Sequence, residues 1–338
     1  MTVRGEAYCW GDNLPAGALG DGSTIRRARS APVSGGLKFA RLWAGGHTTC
    51  AVDSLGTPYC WGENTYGQMG LGTTAPAQLV PVRAAGSLLF TQMAVGERNI
   101  CGITPGAAAY CAGENQSGQL GDGDSVMKTV QTPVAGGHSF QSIAVSVWHT
   151  CGLNNLNAIY CWGWPSYWGS PSAGVQRTPT LAGAGYAFRA ITLGLWFVCG
   201  VSTASKGYCW GIGTSGQLGT GDPGESSPAL ILASWAFQSV DATGSATACA
   251  IAASGAAYCW GANQWGQIGD GTTTTRWIPQ PVLGGLTLSR VAVGVAHVCG
   301  VTPSGKVYCW GNNNTGALGN GVMGVDRWAP VAVLPPER

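Results

Sequence analysis

Residues 294–319 read GVAHVCGVTPSGKVYCWGNNNTGALG. Two short apolar runs, His297–Val301 and Lys306–Trp310, flank a Pro303-Ser304-Gly305 turn. Short runs joined by such a turn indicate a β-hairpin. A third run, Val291–Gly294, precedes the hairpin, and a fourth, around Pro330-Val331, follows it. Outward from this stretch, its Tyr-Cys pair recurs at Tyr8-Cys9, Tyr59-Cys60, Tyr110-Cys111, Tyr160-Cys161, Tyr208-Cys209 and Tyr258-Cys259, 48 to 51 residues apart. Tryptophan follows in every copy but one, where Ala112 stands. A glycine-rich turn comes next, as in Gly67-Gln68-Met69-Gly70, Gly118-Gln119-Leu120-Gly121, Gly216-Gln217-Leu218-Gly219 and Gly266-Gln267-Ile268-Gly269. One four-stranded unit cannot bury both of its faces, so its neighbours must cover them. Radial repetition of such units is a propeller. The expectation is therefore all-β: a seven-bladed β-propeller of four-stranded antiparallel blades, one blade incomplete at the N-terminus. A single domain over 1–338 is expected, with cassettes at about 1–38, 39–88, 89–138, 139–187, 188–237, 238–287 and 288–338.

Composition agrees. Of 338 residues 55 are glycine and 15 tryptophan, and only 9% are charged, while 45% are hydrophobic. That is enough apolar side chain for a large core, and the pattern is that of an all-β chain. The net charge of +2 argues against nucleic acid, whose binding needs a concentrated basic surface. The cluster Arg26, Arg27 and Arg29 reads as a solvated loop. No apolar stretch is long enough to span a bilayer, so membrane association is expected only through a partner. The start, MTVRGEAYCWG, has no apolar signal-peptide core.

The combination G-x-x-H-x-C followed by S-G-K-V-Y-C-W-G-x-N-x-x-G, clearest over Gly294–Gly319, resembles the regulator of chromosome condensation repeat family. The resemblance runs through nearly the whole chain. It implies a seven-bladed propeller used mainly as a protein-interaction platform. Members share architecture and not chemistry, so the fold does not carry a function over.

Twelve of the 13 cysteines form pairs ten residues apart: Cys50/Cys60, Cys101/Cys111, Cys151/Cys161, Cys199/Cys209, Cys249/Cys259 and Cys299/Cys309. An even separation across a three-residue loop sets both side chains opposite each other on one face. Opposed non-hydrogen-bonded positions lie within disulfide reach. Six cross-hairpin disulfides are expected, with a disulfide-rich, bacterial-type member and an extracytoplasmic location (periplasm, cell surface or secreted). A metal site is disfavoured: C-x-x-C is missing and only four histidines are present. Cys9 is left unpaired, because its partner would lie ten residues earlier. Missing upstream chain is the favoured explanation; an open blade edge and a partner supplying strands by β-augmentation are the others.

Gly211-Ile212-Gly213-Thr214-Ser215-Gly216 fits G-x-G-x-x-G but aligns with the repeat turn Gly261–Gly266, so a dinucleotide site is not expected. Asp122-Gly123-Asp124 and Asp270-Gly271 offer too few oxygens for calcium and read as tight turns. His149 and His297 share one repeat slot, His47 lies one residue earlier in its copy, and His138 falls in a loop; recurrence marks structural histidines. No catalytic constellation emerges, and neither an enzyme activity, a cofactor nor a metal is expected. The fourth copy departs from the others, with Trp164-Pro165-Ser166-Tyr167-Trp168-Gly169 in place of the usual turn. Exceptions in a repeat are where function can be written, and Trp and Tyr are preferred interface anchors. Trp164, Tyr167, Trp168, Trp148, Trp196 and Phe197 are the candidate partner-binding residues. The expected function is a non-catalytic protein-protein interaction module, or an accessory subunit of a larger extracytoplasmic or membrane-associated complex. The alternatives are a glycan-acting propeller enzyme, or guanine-nucleotide exchange by family analogy.

Overall fold

The structure is a computed structural model that describes residues 1–74, 76–169, 174–243 and 246–336. Six antiparallel sheets of four strands follow one another along the chain. Blade 1 comprises Arg41–Gly45, Thr48–Val52, Pro58–Gly62 and Gln78–Arg83; blade 2 comprises Gln92–Val95, Asn99–Ile103, Ala109–Gly113 and Lys128–Pro133. Blade 3 has Phe140–Val145, His149–Asn154, Ile159–Gly163 and Gln176–Ala182; blade 4 has Phe188–Leu193, Phe197–Ser202, Gly207–Ile212 and Gly224–Leu230. Blade 5 is built from Phe237–Asp241, Thr247–Ala252, Ala257–Gly261 and Arg276–Pro281, and blade 6 from Arg290–Val293, His297–Val301, Val307–Gly311 and Arg327–Ala332. In each, sequential strands are neighbours in the sheet. First strands of consecutive blades touch one another, which places them around a common axis.

The N-terminal cassette forms only a two-stranded sheet, Tyr8–Gly11 with Arg27–Pro32. The expected count of seven blades is thereby corrected to six, beside this smaller sheet. The physical reason is that its strands correspond to the third and fourth of a blade, and residues 1–7 are too few to form the first two.

The cassette explains the strand pairing. Each paired cysteine faces its partner in register across the second and third strands, as in Cys151↔Cys161, and all six disulfides are formed. The glycine after tryptophan breaks the next register: the pairing of third and fourth strands shifts between Cys60 and Gly62, and again in the other copies. Apart from Pro58, which opens an inner strand, proline in the described strands lies on outer strands, where its missing N–H faces no neighbour.

The core sits between blades. The indoles of Trp61, Trp162, Trp210, Trp260 and Trp310 are fully buried. Each donates its Nε1–H to a backbone carbonyl in the preceding cassette's glycine turn: Trp61 to Ala18, Trp162 to Gln119, Trp210 to Trp168, Trp260 to Gln217 and Trp310 to Gln267, at 2.9–3.0 Å. Such a pair joins apolar burial to a satisfied donor. Gly121 shows why the turn ends in glycine. Its φ is +71°, and a Cβ there would lie 2.6 Å from Nε1 of Trp162.

Candidate interaction face

Second strands begin, and third strands end, at the same end of each sheet, as the pairing His149↔Gly163 shows. The turn before the second strand and the long loop after the third therefore share one face of the propeller. Trp148 and Trp196 sit in the former position in blades 3 and 4, and Trp164 opens the loop of blade 3. The Trp164 N–H donates to the Trp148 carbonyl at 2.9 Å, and the Ser146 hydroxyl donates to the Leu195 carbonyl at 3.3 Å. The three tryptophans are thus tied to two adjacent turns. Trp164 is 43% exposed and Trp196 36%, while Trp148 is half-buried.

Two of the six candidates cannot meet a partner. Trp168 packs among Leu153, Ile159 and Trp210, filling the core position that Leu120 and Leu218 occupy in their own copies. Phe197 is fully buried against Val201 and Leu218. The side chain of Tyr167 lies outside the described residues. Its backbone ends a short 3-10 helix, Pro165–Tyr167, which replaces the usual turn.

That replacement traces to a residue type whose role the repeat pattern leaves unstated. In five of the other loops a buried asparagine fixes the turn. Asn115 Oδ1 accepts from the Leu120 N–H at 3.0 Å while its Nδ2 donates to Asp122 and Asp124; Asn64, Asn263 and Asn313 act alike. Proline occupies this slot in copy four and glycine in copy five. The signal was an asparagine three residues after the tryptophan position in five of the seven copies.

The remaining motifs are structural. No α-helix follows Gly216; instead Leu218 enters the core. The turn carboxylates are occupied by cations of their own loops: Asp21 by Arg27, Asp122 by Lys128 and Asp270 by Arg276, at 2.8, 3.3 and 2.6 Å. Burial pushes the Asp270 carboxyl up, but hydrogen bonds from Thr272 and Arg276 outweigh it and hold the group below its ordinary value. His149 is fully buried, and desolvation alone lowers it to about 3. His138 packs against Tyr160 with tilted rings, their centroids 4.3 Å apart. Among the described residues, no three His, Cys, Asp or Glu side chains gather as a metal-binding group, and no helix is long and apolar enough to cross a membrane.

Blade architecture, interblade tryptophans and the Tyr-Cys-Trp-Gly cassette together define a β-propeller of repeated blades. The family model described as "Regulator of chromosome condensation (RCC1) repeat" matches residues 56–103, 254–301 and 304–338, and a second model of that repeat matches 289–317. Over these stretches the chain matches that repeat. It is 32% identical over 173 residues to the Ultraviolet-B receptor UVR8 of Arabidopsis thaliana, a stretch covering 49% of this chain and 39% of the receptor. It spans less than two-fifths of the length of the curated relatives it matches. Human WBSCR16 superposes with a TM-score of 0.85 at 20% identity, covering 98% of this chain and 94% of that one. Prp20p from Saccharomyces cerevisiae gives 0.86 at 18%, covering 99% and 87%. At these identities the structural likeness shows the fold alone.

Proposed function

We propose that this chain is a non-catalytic protein-interaction propeller that works outside the cytoplasm, free or as an accessory subunit of a larger membrane-associated assembly. The observation that carries the reading is the pair of exposed tryptophans on one face, Trp164 in the loop that departs from the repeat and Trp196 in the adjacent blade. Aromatic side chains of this kind are favoured anchors for a protein partner. Relatives of the same fold support a binding role: Prp20p is described by its binding properties to Gsp1p and histones, and UVR8 is named a receptor. Six disulfides support an oxidising compartment. We also read residues 1–338 as one propeller domain, with the two-stranded sheet lying beside its six four-stranded blades.

The test is co-purification from the native source with wild type and the double variant Trp164→Ala/Trp196→Ala. The variant is expected to fold normally and to lose its accompanying protein by at least about tenfold, the loss of one modest hot spot. Equal recovery of the partner by both would contradict the proposal.

A further inference from the structure

The part of the interaction face around Trp148, Trp164 and Trp196 is uncharged. Between Lys128 and Arg177 the sequence has no Asp, Glu, Lys or Arg, and between Lys206 and Asp222 it has none either. Every other long loop carries a carboxylate, as with Asp21, Glu63, Asp122, Asp222, Asp270 and Asp326, whereas the loop after Gly163 carries none. Cations at the border are engaged elsewhere. Arg177 donates to the Ser125 hydroxyl in the loop of blade 2 at 2.6 Å. Arg98 lies over the Tyr66 ring of blade 1, 5.0 Å from its centroid, and 3.6 Å from Glu114. The indoles therefore offer a partner no ion pair and no steering by charge.

They offer aromatic surface and hydrogen-bond donors. The cassette tryptophans Trp10, Trp61, Trp162, Trp210, Trp260 and Trp310 each give Nε1–H to a backbone carbonyl. Among the described residues, Trp148 and Trp196 give theirs to none. The carbonyls of the same two turns already accept: Val147 from Gln119 Nε2, Trp148 from the Trp164 N–H, Leu195 from the Ser146 hydroxyl and Trp196 from the Ile212 N–H. An indole N–H can only donate. The best complement is a segment that accepts, is uncharged and brings no donor needing a partner in return.

Proline meets these conditions, because it has a carbonyl and no N–H. In a polyproline II helix its carbonyls make no internal hydrogen bonds, and the helix is formed before binding, so little entropy is lost on docking. A neutral sugar is also uncharged, but each of its hydroxyls brings a donor, and the turn carbonyls are taken. We infer that this part of the face takes an uncharged, proline-rich segment of the partner protein. Its carbonyls accept from Trp148 and Trp196, and its rings pack on the exposed indoles of Trp164 and Trp196. The inference rests on the interaction reading above and names the chemistry of the partner.

The test uses the intact chain and an oligoproline peptide about ten residues long, roughly 30 Å in this helix. Indole Nε1–H signals are followed by NMR as peptide is added to about 1 mM, enough to load most of a site with a Kd on the order of 100 µM. The signals of Trp148 and Trp196, assigned with Trp148→Phe and Trp196→Phe, should move while those of Trp162 and Trp210 stay. Trp196→Phe keeps an aromatic ring and removes the donor, and should weaken peptide binding about fivefold. No movement, an equal response to a glycine-serine peptide of the same length, or a response to a neutral glucose oligosaccharide in place of the peptide would overturn the inference. If Trp164→Ala/Trp196→Ala loses the native partner while oligoproline moves no indole signal, only the inference fails. If that variant keeps its partner, the interaction reading fails and the inference with it.

Discussion

The Nε1–H of Trp10 donates to the carbonyl of Ala317 at 3.0 Å, joining the first cassette to the last across 307 residues of sequence. It is the same bond that Trp162 makes to Gln119 between consecutive cassettes. The ring is therefore closed by its ordinary repeat contact. Trp10→Phe keeps the aromatic body and removes the donor, leaving a carbonyl unpaired. A loss of about 1 kcal/mol is expected, read as a lower urea midpoint, with Trp61→Phe costing a similar amount.

Gly121 and Gly123 both have positive φ, but only the former faces an indole. Gly121→Ala should cost more than the roughly 1–2 kcal/mol of a left-handed alanine, because Trp162 must also move. Gly123→Ala has open space and should cost only the backbone part. Equal losses in thermal denaturation would contradict the interblade packing.

Each disulfide closes a loop of about eleven residues, for which chain entropy predicts about 3 kcal/mol. Cys151→Ser/Cys161→Ser should lower the unfolding free energy by up to that amount. The change should appear in the denaturant midpoint, with the far-ultraviolet spectrum unchanged.

His149 gives the acid side of the stability profile. Its folded value of about 3 lies below the ordinary 6.5 because burial disfavours the cation. Between these values the unfolded chain binds more protons, so stability rises with pH. The contribution is full above about 6.5 and is lost as pH falls toward 3. His149→Gln should flatten this dependence in denaturation curves measured from about pH 7 to about pH 4.

Burial also pushes the Cys9 thiol up to about 12. In the isolated chain 1–338, Cys9 should react slowly with a thiol reagent at about pH 8, and fast once denaturant exposes it. Rapid reaction in the native state would contradict this packing.

Much of this was legible in the sequence, and the limits have physical causes. The ten-residue cysteine spacing fixes register, because strand side chains alternate with a period of two. The same parity hides which aromatic residue faces out. Trp196 and Phe197 are adjacent, yet one is exposed and the other buried, and a one-residue shift would exchange them. Trp168 could not be placed because its loop has proline where most copies have the turn-fixing asparagine, and a 3-10 helix instead directs the indole into the leucine position. The blade count was harder still. A cassette marks only the third strand, so seven cassettes accompany six four-stranded sheets.

An extracytoplasmic, disulfide-stapled propeller stands or falls on the state of its cysteines in the native source. The direct measurement is intact mass after alkylation in denaturant, with and without prior reduction. The predicted result is that Cys50 through Cys309 stay unmodified until reduction, then take up twelve alkyl groups, with the six pairs mapped ten residues apart. Twelve free thiols before reduction would contradict it and return the chain to a reducing compartment.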